Sequence, residues 1–192
     1  MRLWRLGEGG LVPTVFTHAI VPLAAGLAIG RHHIPNSVIV TGMALAVLPD
    51  LDVIGFARGI SYAEQFGHRG ASHSLLAAIL IAGLLSVTLC RGARWLGFAF
   101  LAVATASHGL LDMLTNGGLG VALAWPYTPA RFFWPETPIM VSPIGAGFFS
   151  DRGLAVIMSE LQWIWLPTAL VTGLLIAGRW MVQRRVSMDN AI

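Results

Sequence analysis

The sequence predicts an all-α protein: a polytopic membrane bundle of about five transmembrane helices, with a long interfacial loop between helices four and five. Three observations predict it. Of 192 residues, 56% are hydrophobic and 11% charged, whereas soluble domains carry about 25% charged residues. Five segments approach the roughly 20 mostly apolar residues that a spanning helix needs. In hydrocarbon, backbone N–H and C=O groups must be bonded within the segment, which forces helix. The chain reads as a single membrane domain over 1–192.

The first predicted span covers 13–30. Arg2 and Arg5 followed by an apolar stretch have the shape of a signal peptide, but the run is long enough to span and carries His18, so a retained helix is expected. The second covers 36–56, with Pro49, Asp50 and Asp52 near its end. The third covers 72–90, with Ser72 as its expected N-cap, and the fourth covers 93–115. The fifth covers 154–180. Arg31 to Pro35 is a turn, 58–71 a polar loop, and Arg91-Gly92 a tight hairpin. The loop 116–153 is rich in Pro, Gly and Trp, and is expected to lie in the interface or fold back over the helix ends. Cys90 stands alone, so no intramolecular disulfide is possible. The net charge is +3, but the arginines are scattered and form no basic stripe, which argues against nucleic acid.

Ionisable groups inside spanning segments are costly and are therefore functional candidates. His18 opens the first span, Asp50 and Asp52 close the second, His68, Arg69 and His73 introduce the third, and His108 and Asp112 close the fourth. Helices alternate in direction, so all these positions fall on one membrane face. His108 and Asp112, four residues apart, share a helix side. Pro49 loosens the end of the second helix, and both Asp50 and Asp52 are expected to turn toward one centre and bridge two ions. Imidazole and carboxylate without thiolate suit Zn, Mn, Fe or Ni. The seven ligand candidates His18, Asp50, Asp52, His68, His73, His108 and Asp112 suggest two or three divalent ions, Zn first, with Mn or Fe as alternatives. Arg69 serves either as a phosphate clamp or as a counter-ion to Asp50 or Asp52. Arg69, Asn116 and Arg131 are the expected substrate contacts, and Asp50, Asp52 and Arg69 the expected catalytic residues.

Thr17-His18, Leu48-Pro49-Asp50-Leu51-Asp52, Gly67-His68-Arg69-Gly70 with Ser72-His73-Ser74, and His108 to Gly118 together resemble the YdjM family. So do Trp125-Pro126, Arg131-Phe132-Phe133 and Ser142-Pro143-Ile144. That family is described as LexA-regulated, inner-membrane, metal-dependent hydrolases. It resembles, more distantly, the helical zinc-dependent phospholipase C and nuclease P1 group with its trinuclear site. The resemblance implies a bacterial inner-membrane location and phosphoester chemistry. It carries over His18, Asp50 or Asp52, His68 or His73, and His108 with Asp112. The distant group also has a His-x-x-x-Glu element and a ligating N-terminal residue, and this sequence shows neither. An amphipathic or lipid-phosphate substrate drawn from the bilayer is expected, attacked by metal-activated water. Two other classes stay open: a metal-ion or proton transporter, and a non-catalytic stress-response membrane factor with a structural metal. The positive-inside rule sets the candidate site on the extracytoplasmic face, provided Arg69 and Arg131 serve the site. Oligomeric state is not legible.

Overall fold

The computed structural model describes residues 10–90, 94–143 and 148–189. Arg2 and Arg5, and the hairpin at Arg91 and Gly92, lie outside these residues. Helix α1 runs Val15–Ile29 and α2 Asn36–Val47, which continues as a 3-10 helix Leu48–Arg58. A 3-10 turn Ala71–His73 leads into α3, Leu75–Leu89. Helix α4 runs Arg94–Asp112. Helix α5, Asp151–Glu160, passes through a π-helical turn, Leu161–Trp165, into α6, Leu166–Asp189. A two-stranded antiparallel pair, β1 (Gly10–Val12) with β2 (Ser142–Pro143), closes the site-side end.

The protein is thus an all-α membrane bundle. Asn36–Arg58, Arg94–Asp112 and Asp151–Asp189 are each long and apolar enough to cross a membrane, whereas α1 and α3 are apolar helices of 15 residues. Helix α4 packs against α2 and α3, and α1 against α2 and α6. Without a hydrophobic driving force in lipid, small residues govern how closely helices approach. A Cβ on Gly26 would come within 2.6 Å of the Ile39 side chain, and one on Gly42 within 2.7 Å of Phe100. The core toward the far face is apolar, built from Ile34, Val38, Ile39, Leu45, Phe100 and Leu101.

Ser72 does not cap α3. Ser74 does, its Oγ accepting the Ala77 N–H at 3.1 Å. The 3-10 turn delays the start of α3 and frees Ser72 to donate to Asp52 Oδ2 at 2.6 Å. The segment after α4 folds back over the helix ends. Asn116 N–H donates to Ile139 O, Trp134 N–H to Met113 O, and Ala122 N–H to Arg69 O. The first two bonds pin the loop beside the end of α4, and the third holds it against the His68–His73 stretch.

Candidate metal centre

Alternating helix direction brings the polar set together. His18 comes from the first turn of α1, Asp50 and Asp52 from the 3-10 helix after α2, and His73 from the turn before α3. His108 and Asp112 come from the last turns of α4. His18, His68, Arg69, His108 and Asp112 are fully buried. The side chains of Asp50 and Asp52 are 12% and 8% exposed, so the opening of the site lies beside them.

Four side chains converge. His108 Nε2 lies 3.0 Å from His73 Nε2, 3.3 Å from Asp50 Oδ1 and 3.7 Å from Asp112 Oδ2. His73 Nε2 lies 3.3 Å from Asp112 Oδ2 and 3.8 Å from Asp50 Oδ1. A tetrahedral ion with bonds of about 2.0–2.1 Å has ligand-to-ligand edges of about 3.3 Å. The proton positions suit the same arrangement. His108 Nδ1 donates to the Ala46 carbonyl at 2.7 Å, which leaves Nε2 its lone pair. The Ser72 hydroxyl proton is spent on Asp52, so His73 Nδ1 donates to Ser72 Oγ at 2.9 Å, and its Nε2 is likewise left to face the centre. Neither oxygen of Asp50 or of Asp112 has a hydrogen-bond partner. Lone pairs and carboxylate oxygens crowded in a buried space repel unless a cation lies among them. Burial pulls the His73 imidazole down, but Asp112, Asp50 and Asp52 outweigh it and hold it above its ordinary value.

Asp52, His68 and His73 form a second group. Its geometry is that of a hydrogen-bonded scaffold. Asp52 Oδ1 lies 2.6 Å from His68 Nδ1, well below the edge of a metal polyhedron, and Oδ2 takes the Ser72 hydroxyl. Asp50 and Asp52 therefore do not turn toward one centre. A 3-10 helix has three residues per turn, so side chains two apart point about 120° apart. Asp50 faces the His73–His108 pair and Asp52 faces His68. His68 Nε2 has no hydrogen-bond partner. His18 stacks on His108, with ring centroids 3.8 Å apart, and its Nε2 is 3.5 Å from Asp112 Oδ1, the oxygen turned away from the four-donor group. Neither His18 nitrogen is hydrogen-bonded.

The guanidinium of Arg69 faces Asp112 rather than Asp50 or Asp52. Its Nε is 3.0 Å from Asp112 Oδ2, while Nη1 donates to Gly117 O and Nη2 to Thr115 Oγ1. Arg69 holds a left-handed backbone, φ 59°, in a turn between Gly67 and Gly70. A Cβ on Gly70 would collide with the Gln65 and Gly67 carbonyls. Gly70→Ala is therefore expected to displace His68, Arg69 and His73 together and to lower metal retention at least as far as losing a single ligand does, as elemental analysis would show. Arg131 braces loops, donating to the carbonyls of His68, Tyr62 and Glu64 at 2.9 to 3.0 Å. Asn116 is exposed, and its Oδ1 accepts the Val141 N–H.

Sequence reasoning missed two groups. Tyr62 packs edge-on to His68 with centroids 5.2 Å apart, and burial pushes its phenol above the ordinary value. Glu160, fully buried, accepts from Thr14 N–H, Thr14 Oγ1 and Thr17 Oγ1, while Trp165 Nε1 donates to Thr17 Oγ1. In an α-helix, residues 160 and 165 would point about 140° apart. The π-turn brings both to α1, one residue from His18.

Comparison with known proteins agrees with this architecture. The family described as YdjM inner membrane protein matches residues 13–185. "Inner membrane protein YbcI" of Escherichia coli (strain K12) is 44% identical over 171 residues, covering 85% of this chain and 97% of that protein. No solved structure matches. A match of this extent, on a bundle with this helix pattern, means that the chain belongs to the YdjM family of bacterial inner membrane proteins.

Proposed function

We propose that the protein is a metal-dependent hydrolase of the inner membrane that acts on a phosphoester of a lipid or other amphipathic substrate. The observation that carries this is the four-donor group of Asp50, His73, His108 and Asp112, whose spacing and tautomers fit a tetrahedral divalent ion. One ion, Zn first, is supported better than two or three, because the Asp52–His68 pair is at hydrogen-bond length. A divalent ion bound there supplies Lewis acidity and lowers the pKa of water.

The chain's own residues have separable tasks. Ser72 and Asp52 hold His73 with Nε2 inward, and Ala46 does the same for His108. Arg69 holds Asp112 in place, its Nε 3.0 Å from Oδ2. Asp50, at the opening and with neither oxygen hydrogen-bonded, is placed to ligate and to receive a proton. An amphipathic substrate suits the rim: Leu51 and Ile54 are exposed on the 3-10 helix that carries the aspartates, and exposed Phe66 stands edge-on to Trp125. A phosphoester is the favoured bond because it is what the resemblance read from the sequence motifs implies.

The location of the site also has support. With Arg69 and Arg131 spent inside the protein, Arg58 and Arg152 are the site-face arginines left exposed among the described residues, and Arg2 and Arg5 join them by sequence position. Arg31, Arg94, Arg179, Arg184 and Arg185 lie at the far face, among the described residues. By the positive-inside rule the site faces the periplasm. A transporter would need polar groups to continue beneath the site. There the core is apolar, and the Thr105 and Ser107 hydroxyls donate to carbonyls of their own helix.

The test is hydrolysis of a panel of lipid phosphates by detergent-purified protein, with and without chelator. Chelator-sensitive release of phosphate or phosphorylated headgroup is expected. A metal-loaded protein inert on the whole panel would leave a structural metal as the better reading. Asp52→Asn is expected to lower metal affinity about 10–100-fold while leaving the number of sites unchanged, as outer-shell carboxylates do. Isothermal titration checks both quantities.

A further inference from the structure

Along one side of the bundle, α1 and α6 run next to each other. Between them lies a groove of about 380 Å³, lined by Val21, Ala24 and Ala28 of α1 and by Thr168, Val171 and Leu175 of α6. Its lining is small and mostly apolar. It runs along the bundle's side from three residues after His18 down to the end of α1.

The foot of the groove carries basic side chains. Arg31, His32 and His33 follow α1 directly and are all exposed. Arg179, one turn beyond Leu175 on α6, reaches across: its Nη1 donates to the Ala28 carbonyl at 2.8 Å and lies over Gly30. The turn 30–35 contains no acidic residue, and α6 has none before Asp189. Within the bilayer the groove has to be filled by something apolar, and the charges at its foot select something that ends in an anion. Basic pockets between spanning helices recognise anionic lipid headgroups in this way.

We propose that this groove binds an anionic phospholipid of the far leaflet. One acyl chain lies between α1 and α6, and the headgroup phosphate sits among Arg31, His32, His33 and Arg179. The site is independent of the metal centre and of any hydrolytic activity. It gives a role to the His32-His33 pair, which faces away from the metal centre.

The experiment is native mass spectrometry of the protein released from vesicles of phosphatidylglycerol or of phosphatidylcholine, with counting of retained lipid. Wild-type protein is expected to retain phosphatidylglycerol about tenfold better than phosphatidylcholine. Arg31→Gln/His32→Gln/His33→Gln changes only exposed side chains and should abolish that preference. Ala24→Phe/Val171→Phe fills the groove and should lower retention of both lipids. Equal retention of the two lipids by wild-type protein overturns the proposal. So does a preference that survives the charge variant, or retention unaltered by the filled groove. Soluble glycerol phosphate, which has the headgroup without the chains, should not displace the lipid at millimolar concentration. Displacement would mean that the groove contributes nothing.

Discussion

Protein purified in mild detergent is expected to hold one divalent transition-metal ion per chain, and His108→Ala or Asp50→Ala to bring that content to background. The reason is electrostatic before it is chemical. His108 Nε2 and His73 Nε2 face each other at 3.0 Å with their other nitrogens committed as donors, and two carboxylates close the same space. A cation is the one occupant that turns these contacts from repulsive to attractive. Removing a ligand should cost more than the roughly 10–100-fold assigned to an outer-shell partner. Asp50 is the informative choice, because it is at the opening and its loss leaves the buried helix contacts intact. Elemental analysis decides the matter: protein free of transition metal that takes none up on titration would sink the metal reading. A stoichiometry of two that falls to one in Asp52→Asn would instead restore the two-ion reading.

Arg69→Met is expected to destabilise metal-free protein by about 3–5 kcal/mol, the range found when one member of a buried ion pair is removed. Arg69 and Asp112 are both fully buried, and Nε lies 3.0 Å from the carboxylate. Removing the guanidinium also takes away the donor that serves the Gly117 carbonyl, while the Thr115 hydroxyl keeps its bond to the Asp112 carbonyl at 2.7 Å. The double variant Arg69→Met/Asp112→Leu should recover part of the loss, since an apolar pair leaves no lone charge. Thermal unfolding in detergent, followed by circular dichroism, measures all three proteins. If Arg69→Met melts with the wild type, Arg69 is not Asp112's counter-ion in solution, and a role toward substrate regains its place.

Much of this arrangement can be read from the sequence, and what cannot has identifiable causes. Apolar segments force helices in lipid, and the alternation of helices puts His18, Asp50, His73, His108 and Asp112 at one end without any tertiary knowledge. The division of labour between Asp50 and Asp52 is not legible. Leu48-Pro49-Asp50-Leu51-Asp52 looks symmetric until the helix tightens to three residues per turn and separates the two carboxylates. The partner of Arg69 is hidden for a similar reason, because a left-handed residue in a glycine-flanked turn sends its side chain where no periodicity points. Glu160 was within reach. It lies in the first third of the fifth span, whose start is on the site face, and the helix-direction reasoning applied to His18 puts it at the same membrane level, whereas its contact with Thr14 and Thr17 depends on the π-turn.

The brevity of α1 and α3 has a physical consequence for the membrane itself. Fifteen residues of α-helix rise about 22 Å, against a hydrocarbon thickness of about 30 Å. Local thinning of the bilayer beside each of these two helices would relieve this hydrophobic mismatch. Thinning draws the glycerol and phosphate layer of the near leaflet inward, toward the level at which Asp50 and Asp52 open. The protein would then meet a lipid-borne phosphoester by deforming its solvent rather than by lifting the lipid out of it.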